Sequence, residues 1–494
     1  MATEKFYLEL SEEQGVAHKF YEVTIEGCEL TIRYGRIGTT GRVETKTFPT
    51  EEAARKEADK KLKQKGKKGY EEAVIGVRQK RPITRRSTES RRSTSKRSPL
   101  LWRFKSGASA FGIFINADRC WVGNQDGSVF VLNHNAEVIN QYRLPNGVKC
   151  IIADDIWLYA GCDDGCVYDL SGKLPRIAYE VAENIDILWL DIHDAQLGIS
   201  DGNGTVMVAD HENEALWQKS SSGSTGWMIR NDADAVYHGH SDGVTAYNNG
   251  NHGTKWDYKT RGSILFGWQE KTMVYAGASD NKIYALHKAD GELAQIYACD
   301  SSVYSCATAE NGQYVFAGDD CSSVYCFNQN GERLWKLATG CGSALSMQYL
   351  QNKLYIVTTD GSLACIDVNE SAIESAKAGT LPESKAIQAP APVAITTSTD
   401  LETIEHPTEG VLLKCVKEGG KLRVKAISSV VNCTQENGQL RVDITPEYHS
   451  NWNVQFPRNL REEGAIYIVD EIKEASRGQF YRVYGNIRRL IQSG

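Results

Sequence analysis

Between positions 34 and 68 the chain gathers residue types that hold anions rather than break bonds. Tyr34, Arg36 and Arg42 are followed by Lys56, Lys60, Lys63, Lys67 and Lys68. A guanidinium is a planar fork that fits a phosphate, and ammonium groups add positive potential. A tyrosine ring offers a face to a sugar or a base. The chemistry on offer is polyanion binding. No grouping for catalysis accompanies it: no Ser-His-Asp set, phosphate-binding Gly-Lys-Ser/Thr loop, dinucleotide fingerprint or zincin helix is found in the sequence. The expectation is a protein without catalytic residues, cofactor or metal.

Short strands must position these residues. Residues 6–10, 19–25 and 29–33 alternate as strands, and Glu26-Gly27-Cys28 is short enough for a hairpin. Three glycines follow in the run from Tyr34 to Arg42, and a further strand spans residues 43–48. Thr50, with Glu51 and Glu52 behind it, starts a helix whose stripe is Ala54, Ala58 and Leu62. At 100° per residue Lys56, Lys60 and Lys63 fall opposite that stripe.

Tyr34-Gly35-Arg36-Ile37-Gly38-Thr39 after a strand, the return strand to Phe48, the Glu-Glu-Ala-Ala helix and Lys67-Lys68-Gly69-Tyr70 together resemble the WGR domain. The likeness covers roughly residues 4–75, within a first domain of residues 1–77. In DNA-responsive poly(ADP-ribose) polymerases that domain binds DNA ends. There its Trp packs on the terminal nucleotide, and its Arg contacts DNA and a neighbouring domain. The resemblance gives those roles to Tyr34 and Arg36, with Tyr standing where the family has Trp. A purely structural role, with Tyr34 in the small core, stays open beside it.

Residues 78–98 are almost free of apolar side chains and read as a disordered basic linker. Its two Arg-Arg-Ser-Thr repeats suit phosphate contacts, or phosphorylation of Ser87 or Ser93, or a solvated tether.

From residue 99 a repeat appears. Turns at 126–127, 164–165, 203–204, 242–243, 280–281, 321–322 and 360–361 recur about every 40 residues, each followed by an alternating strand. Four strand-like runs per unit indicate propeller blades. The seventh unit has no outer strand after Asp367, while Leu100-Leu101-Trp102-Arg103-Phe104 stands unmatched ahead of the first. Seven blades over residues 99–370, closed by that N-terminal strand, follow from the count. Ala276-Gly277, Asp290-Gly291-Glu292 and the outer-strand tryptophans resemble quinoprotein-type repeats more than WD repeats. That likeness raises a quinone-dependent enzyme as a third reading. Quinone dehydrogenases of that type are exported, mostly eight-bladed, and use calcium. His193, His238 and His240 lack ligand-spaced partners and read as core or channel-lining residues.

Residues 371–408 read as a second flexible linker and 409–494 as a β-rich domain of no recognised family. That domain interleaves Trp452, Arg458, Arg461, Arg477, Tyr481, Arg482, Tyr484, Arg488 and Arg489. Two readings stay open: a single-strand groove, or a structural or protein-docking face.

Charge and composition set the bounds. The 494 residues are 41% hydrophobic and 24% charged, enough for several cores. The net −7 divides into +8 over residues 1–98, −15 over 99–380, −3 over 381–408 and +3 over 409–494. Polyanion binding therefore belongs to the ends, and the acidic middle suits a basic partner surface or solubility. No apolar run of membrane-spanning length and no signal sequence is found, and the thirteen cysteines lack metal-ligand spacing. A cytoplasmic protein with no membrane partner is expected. The fold class is mainly β: a small α+β module, a seven-bladed propeller and a small β-rich domain. The function expected is a non-enzymatic adaptor in which the amino end binds nucleic acid, with DNA at ends or breaks as the expected form, while the propeller rim docks a protein. The alternative is a protein-interaction scaffold with no nucleic-acid ligand.

Overall fold

The computed structural model describes residues 3–11, 18–36, 41–72, 91–154, 157–181, 187–202, 204–394, 401–405, 407–436, 439–442, 448–475 and 478–491. It divides into two compact units, residues 1–87 with 182–186 and residues 88–181 with 187–494. Each is taken by itself.

In the first unit, β1 (Thr3–Ser11), β2 (His18–Glu26), β3 (Glu29–Arg36), β4 (Arg42–Thr47) and β5 (Glu71–Glu72) form one sheet of order β4-β3-β2-β1-β5. Helix α1 (Glu51–Gly66) starts where its sequence signal lies: the Thr50 hydroxyl accepts the Ala53 amide at 3.2 Å. Ala54 and Ala58 are fully buried against Tyr21, Val23, Ile25, Leu30 and Ile32. Alternation along β2 and β3 sends these side chains to the helix and leaves Glu22 and Arg33 on the other face.

The second unit holds the propeller. Among the described residues it has six four-stranded blade sheets, blades 1 to 6, over residues 110–143, 148–180, 187–220, 228–259, 264–298 and 303–338. A seventh sheet, blade 7, is formed by Ala344–Leu350, Lys353–Thr358, Ser362–Asp367 and the N-terminal strand Leu100–Lys105. The unmatched strand does close the ring, pairing antiparallel with Ser362–Ile366. All seven second turn residues have positive φ: Gly127, Gly165, Gly204, Gly243 and Gly361, but also Asn281 at 69° and Ser322 at 56°. A second repeated position needs glycine for space. Gly123, Gly161, Gly239 and Gly277 sit on second strands where an added Cβ would lie 2.4–2.9 Å from Val148, Leu190, Ile264 and Val303 of the next blade. The outer tryptophans turn inward, and Trp102 and Trp256 donate their indole N–H to the carbonyls of His134 and Lys288 in the following blade. These contacts lock blade to blade.

Closure also has an ionic part. Lys105 donates to Asp360 at 2.5 Å. Burial of Asp360 is outweighed by Lys105, Thr358 and Ser362, so its carboxyl is held down at about 2, from 3.8. A depressed carboxyl stabilises the fold fully above its unfolded value and loses that contribution as pH falls through the folded one. The wild-type chain should therefore exceed Asp360→Asn in stability at pH 6, with the gap closing between pH 3.8 and about 2. Urea midpoints measured across that range check it.

Three sequence expectations need correction. Residues 91–98 lie against blade 6 instead of forming a disordered linker: Arg97 bridges Ala338 in parallel, and the Ser323 hydroxyl donates to Ser93 at 2.9 Å. Residues 78–90 lie outside the described residues. The stretch after residue 370 opens with a helix, α2 (Glu370–Ala378), capped by Asn369 and ended by Gly379 at φ 89°. Lys385–Gln388 then adds a fifth strand beside Leu100–Lys105. Finally, the C-terminal sheet is no separate body. Its strands Glu402–Ile404, Val411–Glu418, Lys421–Ser429, Asn453–Gln455, Ile466–Glu474 and Phe480–Leu490 pack on blades 2 and 3.

That packing uses the cations singled out in the sequence. Arg482 pairs with Asp154 at 2.5 Å, both nearly buried, and lies 4.8 Å from the Trp157 ring. Arg461 and Arg423 meet Glu212 at 2.7 and 3.1 Å, and Arg458 reaches Glu214 at 3.9 Å. Arg488 and Arg489 pair with Asp470 and Glu462 of their own domain. Tyr481 is buried, Trp452 packs on it at 5.2 Å, and Tyr484 carries Lys473 over its ring. Arg477 lies outside the described residues. Part of the propeller's acidity is thus answered within the chain. The three histidines fall in the blades: His193 ends an inner strand, and His238 and His240 are fully buried on a second strand. Burial pushes the His238 imidazole down to about 3, so it is neutral.

Candidate nucleic-acid interface

The site is built on the helix side of the first unit's sheet, at the C-terminal end of α1. Alternation puts Tyr21 on β2 and Tyr34 on β3 directly across from each other, with Arg42 of β4 opposite Tyr34. The chain returns from the helix at Tyr70, whose ring meets Tyr21 edge-on at 6.3 Å. Tyr34 and Tyr21 are 6.2 Å apart. Into this cluster α1 sends Lys65, its ammonium 4.3 Å from the Tyr21 ring, 4.9 Å from Tyr70 and 6.0 Å from Tyr34. An ammonium over three ring faces is held by their quadrupoles.

Lys65 is also crowded by charge of its own sign. Its partial burial, then Lys68, Lys61 and Lys19, lower its pKa below the ordinary lysine value. Lys65 thus sits over three tyrosines with three further ammonium groups acting on it, and Arg42 stands opposite Tyr34. Among the described residues, the carboxylates acting on Tyr21 include Glu44, which accepts the Tyr34 hydroxyl at 2.7 Å, and Glu57, which pairs with Lys60 at 3.3 Å. The Glu44 hydrogen bond raises the Tyr34 pKa. On the far face of the sheet Arg33 and Lys5 both pair with Glu22, outweighing its burial and lowering its pKa. That face is self-neutralised.

Of the residues read from sequence, the structure brings together Tyr34, Arg42 and Lys68. Lys56, Lys60, Lys63 and Lys67 are exposed on the opposite side of α1. Arg36 ends β3 opposite Lys19, and its side chain lies outside the described atoms. Tyr34 is half-buried: its inner edge belongs to the core and its hydroxyl is engaged by Glu44, with part of the ring accessible. Lys19, Lys61 and Lys65 were missed. The signal for the last two was there, because Lys61 and Lys65 continue the stripe of Ala54 and Ala58 at helical spacing.

Comparison with known proteins agrees with this division. Residues 4–77 match the WGR domain. The WGR module so identified contains all of the tyrosine–lysine cluster. Residues 202–375 match a second family, described as outer membrane protein assembly factor BamB. Among curated proteins, the uncharacterized protein YfeS of Escherichia coli (strain K12) is 43% identical over 56 residues, 11% of this chain and 23% of that protein. Among solved structures, the WD40 β-propeller domain of Doa1 aligns over 56% of this chain and 99% of that one, with 13% identity and TM-score 0.49. The computationally designed protein Ika8 aligns over 55% and 100%, with 14% identity and TM-score 0.44. A WGR domain joined to a propeller of quinoprotein-like repeats supports a binding adaptor. Among the described residues no helix is long and apolar enough to cross a membrane.

Proposed function

We propose that the chain is a non-enzymatic adaptor whose WGR domain binds nucleic acid, DNA before RNA, and whose propeller docks a protein. One observation carries the reading: Lys65 over the faces of Tyr21, Tyr34 and Tyr70, with Lys19, Lys61 and Lys68 near enough to lower its pKa and Arg42 paired in register with Tyr34. Like charges kept this close cost free energy in the free protein, and a polyanion relieves that cost. Backbone phosphates suit the ammonium groups, and the accessible part of Tyr34 suits an end nucleotide or an unpaired base.

Fluorescence anisotropy with blunt, nicked and single-stranded DNA at two salt concentrations tests it. About four phosphate contacts give a slope of roughly −4 in log K against log salt, or about 200-fold weaker binding from 50 to 200 mM. A chain beginning at Arg91 should lose this binding. Equal binding by that shortened chain would contradict the assignment.

The scaffold reading draws on the Glu44 hydrogen bond and the inner edge of Tyr34, which tie that residue to its own module. Tyr34→Ala with Arg36→Ala separates the two. Weaker DNA binding on an intact fold favours the adaptor; disrupted assembly with no DNA signal favours the scaffold.

A further inference from the structure

The blades are copies of one unit, so a socket occupied on one blade has counterparts on the others. On blade 2 the C-terminal domain inserts Arg482 beside Trp157 and Tyr159, the first and third residues of the second strand, and near Asp169, fourth in the third strand. The Asp154 carboxylate receives that guanidinium, and the loop after the third strand of blade 3 supplies Glu212 to Arg461. The socket is full, with a residual cavity of about 20 Å³.

At the same positions blade 6 has an open groove of about 390 Å³. Tyr314 and Phe316 are the first and third residues of its second strand, and Cys326 is fourth in its third strand. Trp335 faces Cys326 across the outer pair, as Arg176 faces Asp169 on blade 2. Tyr349 completes the floor, its ring 5.7 Å from Phe316, which lies 6.0 Å from Trp335. Phe316 and Trp335 are themselves nearly buried with Ile373 and Ala376 of α2, so the rings left half-exposed to a ligand are Tyr314 and Tyr349. The loop after the third strand of blade 7 leads into α2, which puts Glu370 and Glu374 on the rim. Glu374 pairs with Lys377, whereas Glu370 makes no ion pair among the described residues. Leu334 stands at the mouth, 37% exposed.

We propose that this blade-6 groove is a second docking socket, and that it takes an arginine-bearing strand of a partner protein as blade 2 takes Arg482. The proposal rests on the reading of the propeller as a protein-docking platform and adds the place and the chemistry. An aromatic floor with a carboxylate rim is complementary to a guanidinium, which stacks and pairs at once. The chain builds the same combination elsewhere: Arg333 lies 5.2 Å from the Tyr325 ring and 2.8 Å from Asp300. The net −15 of residues 99–380 favours a basic occupant over an acidic one.

The probe is a fluorescein-labelled peptide with the sequence of residues 479–485, Gln-Phe-Tyr-Arg-Val-Tyr-Gly, titrated into the full chain, whose blade-2 socket is already filled. Saturable binding is expected. Leu334→Lys and Glu370→Lys in the protein, and Ala for Arg in the peptide, should each weaken it at least tenfold. Leu334→Lys alters an exposed side chain, so an unchanged unfolding temperature verifies its fold. A photoreactive phenylalanine in the peptide should cross-link within residues 314–335 or 370–377. Absence of saturable binding, cross-links on blade 2, or indifference to both protein variants would overturn the proposal. A natural partner that remains bound to the Leu334→Lys chain removes the groove and leaves propeller docking standing; a chain that holds neither peptide nor partner removes both.

Discussion

Lys61→Ala, Lys65→Ala and Lys68→Ala combined are expected to weaken duplex binding about 10²- to 10³-fold at 0.1 M salt. The size follows from counterion release: three phosphate contacts carry a slope of about −2.7, and at 0.1 M that exponent is worth roughly 500-fold. The salt slope itself should flatten by about the same 2.7. Lys65 also braces Tyr21 and Tyr70, so its loss costs the free module on the order of 1 kcal/mol. Circular dichroism and the unfolding midpoint separate that from the binding effect. The control is Lys56→Ala, Lys60→Ala and Lys63→Ala, which removes equal charge from the opposite side of α1. If position matters beyond net charge, the control should leave the salt slope within about one unit of the wild type. Anisotropy titrations of both triple variants at several salt concentrations make the comparison.

Arg482→Ala is expected to be the most damaging single change in the second unit, at about 3–5 kcal/mol. The Arg482 side chain is 3% exposed and its partner Asp154 12% exposed, so truncation strands a carboxylate that water reaches poorly. The variant also empties the space beside Trp157 and Phe480. Arg482→Met with Asp154→Leu should recover part of the loss, since no charge is left unpaired, while the buried Ala195 amide, which donates to Asp154 at 2.7 Å, loses its acceptor. Urea unfolding of the three chains reads the difference. Faster proteolysis within residues 409–494 of Arg482→Ala would show that the C-terminal sheet loosens first.

What could be read beforehand depended on how local the physics was. Blade turns were legible because a tight turn between alternating strands demands Asp-Gly or a relative, and even Ser322 declared itself through spacing. Ring closure was legible from an outer strand at residues 100–104 with no third strand before it. The α2 helix carried signals that were passed over in an Ala/Ser/Glu-rich stretch: Asn369 as cap, Ile373 and Ala376 on one face, and Gly379 as stop. The strand at Lys385–Gln388 left no such trace, because its pairing with Leu100–Lys105 joins residues far apart in the chain. The partners of Arg461 and Arg482 were equally invisible, being set by packing across some 250 to 330 positions. Charge opposition between residues 99–380 and 409–494 was the one hint that the C-terminal cations had acidic neighbours. At the WGR site the basic character was legible, but the grouping of Lys65 with the tyrosines was not. Lys61 and Lys65 lie on the inward stripe, where a long aliphatic stem reaches past alanines and leaves its ammonium among tyrosines.

Photocross-linking of a blunt DNA duplex to the full chain, followed by peptide mapping, tests the central claim most directly. Adducts are predicted on the segments carrying Lys19, Tyr34, Arg42, Lys61, Lys65 and Lys68, competed away by unlabelled duplex and by salt. Adducts confined to the propeller or to the segment with Arg488 and Arg489, and absent from residues 18–72, would contradict the account.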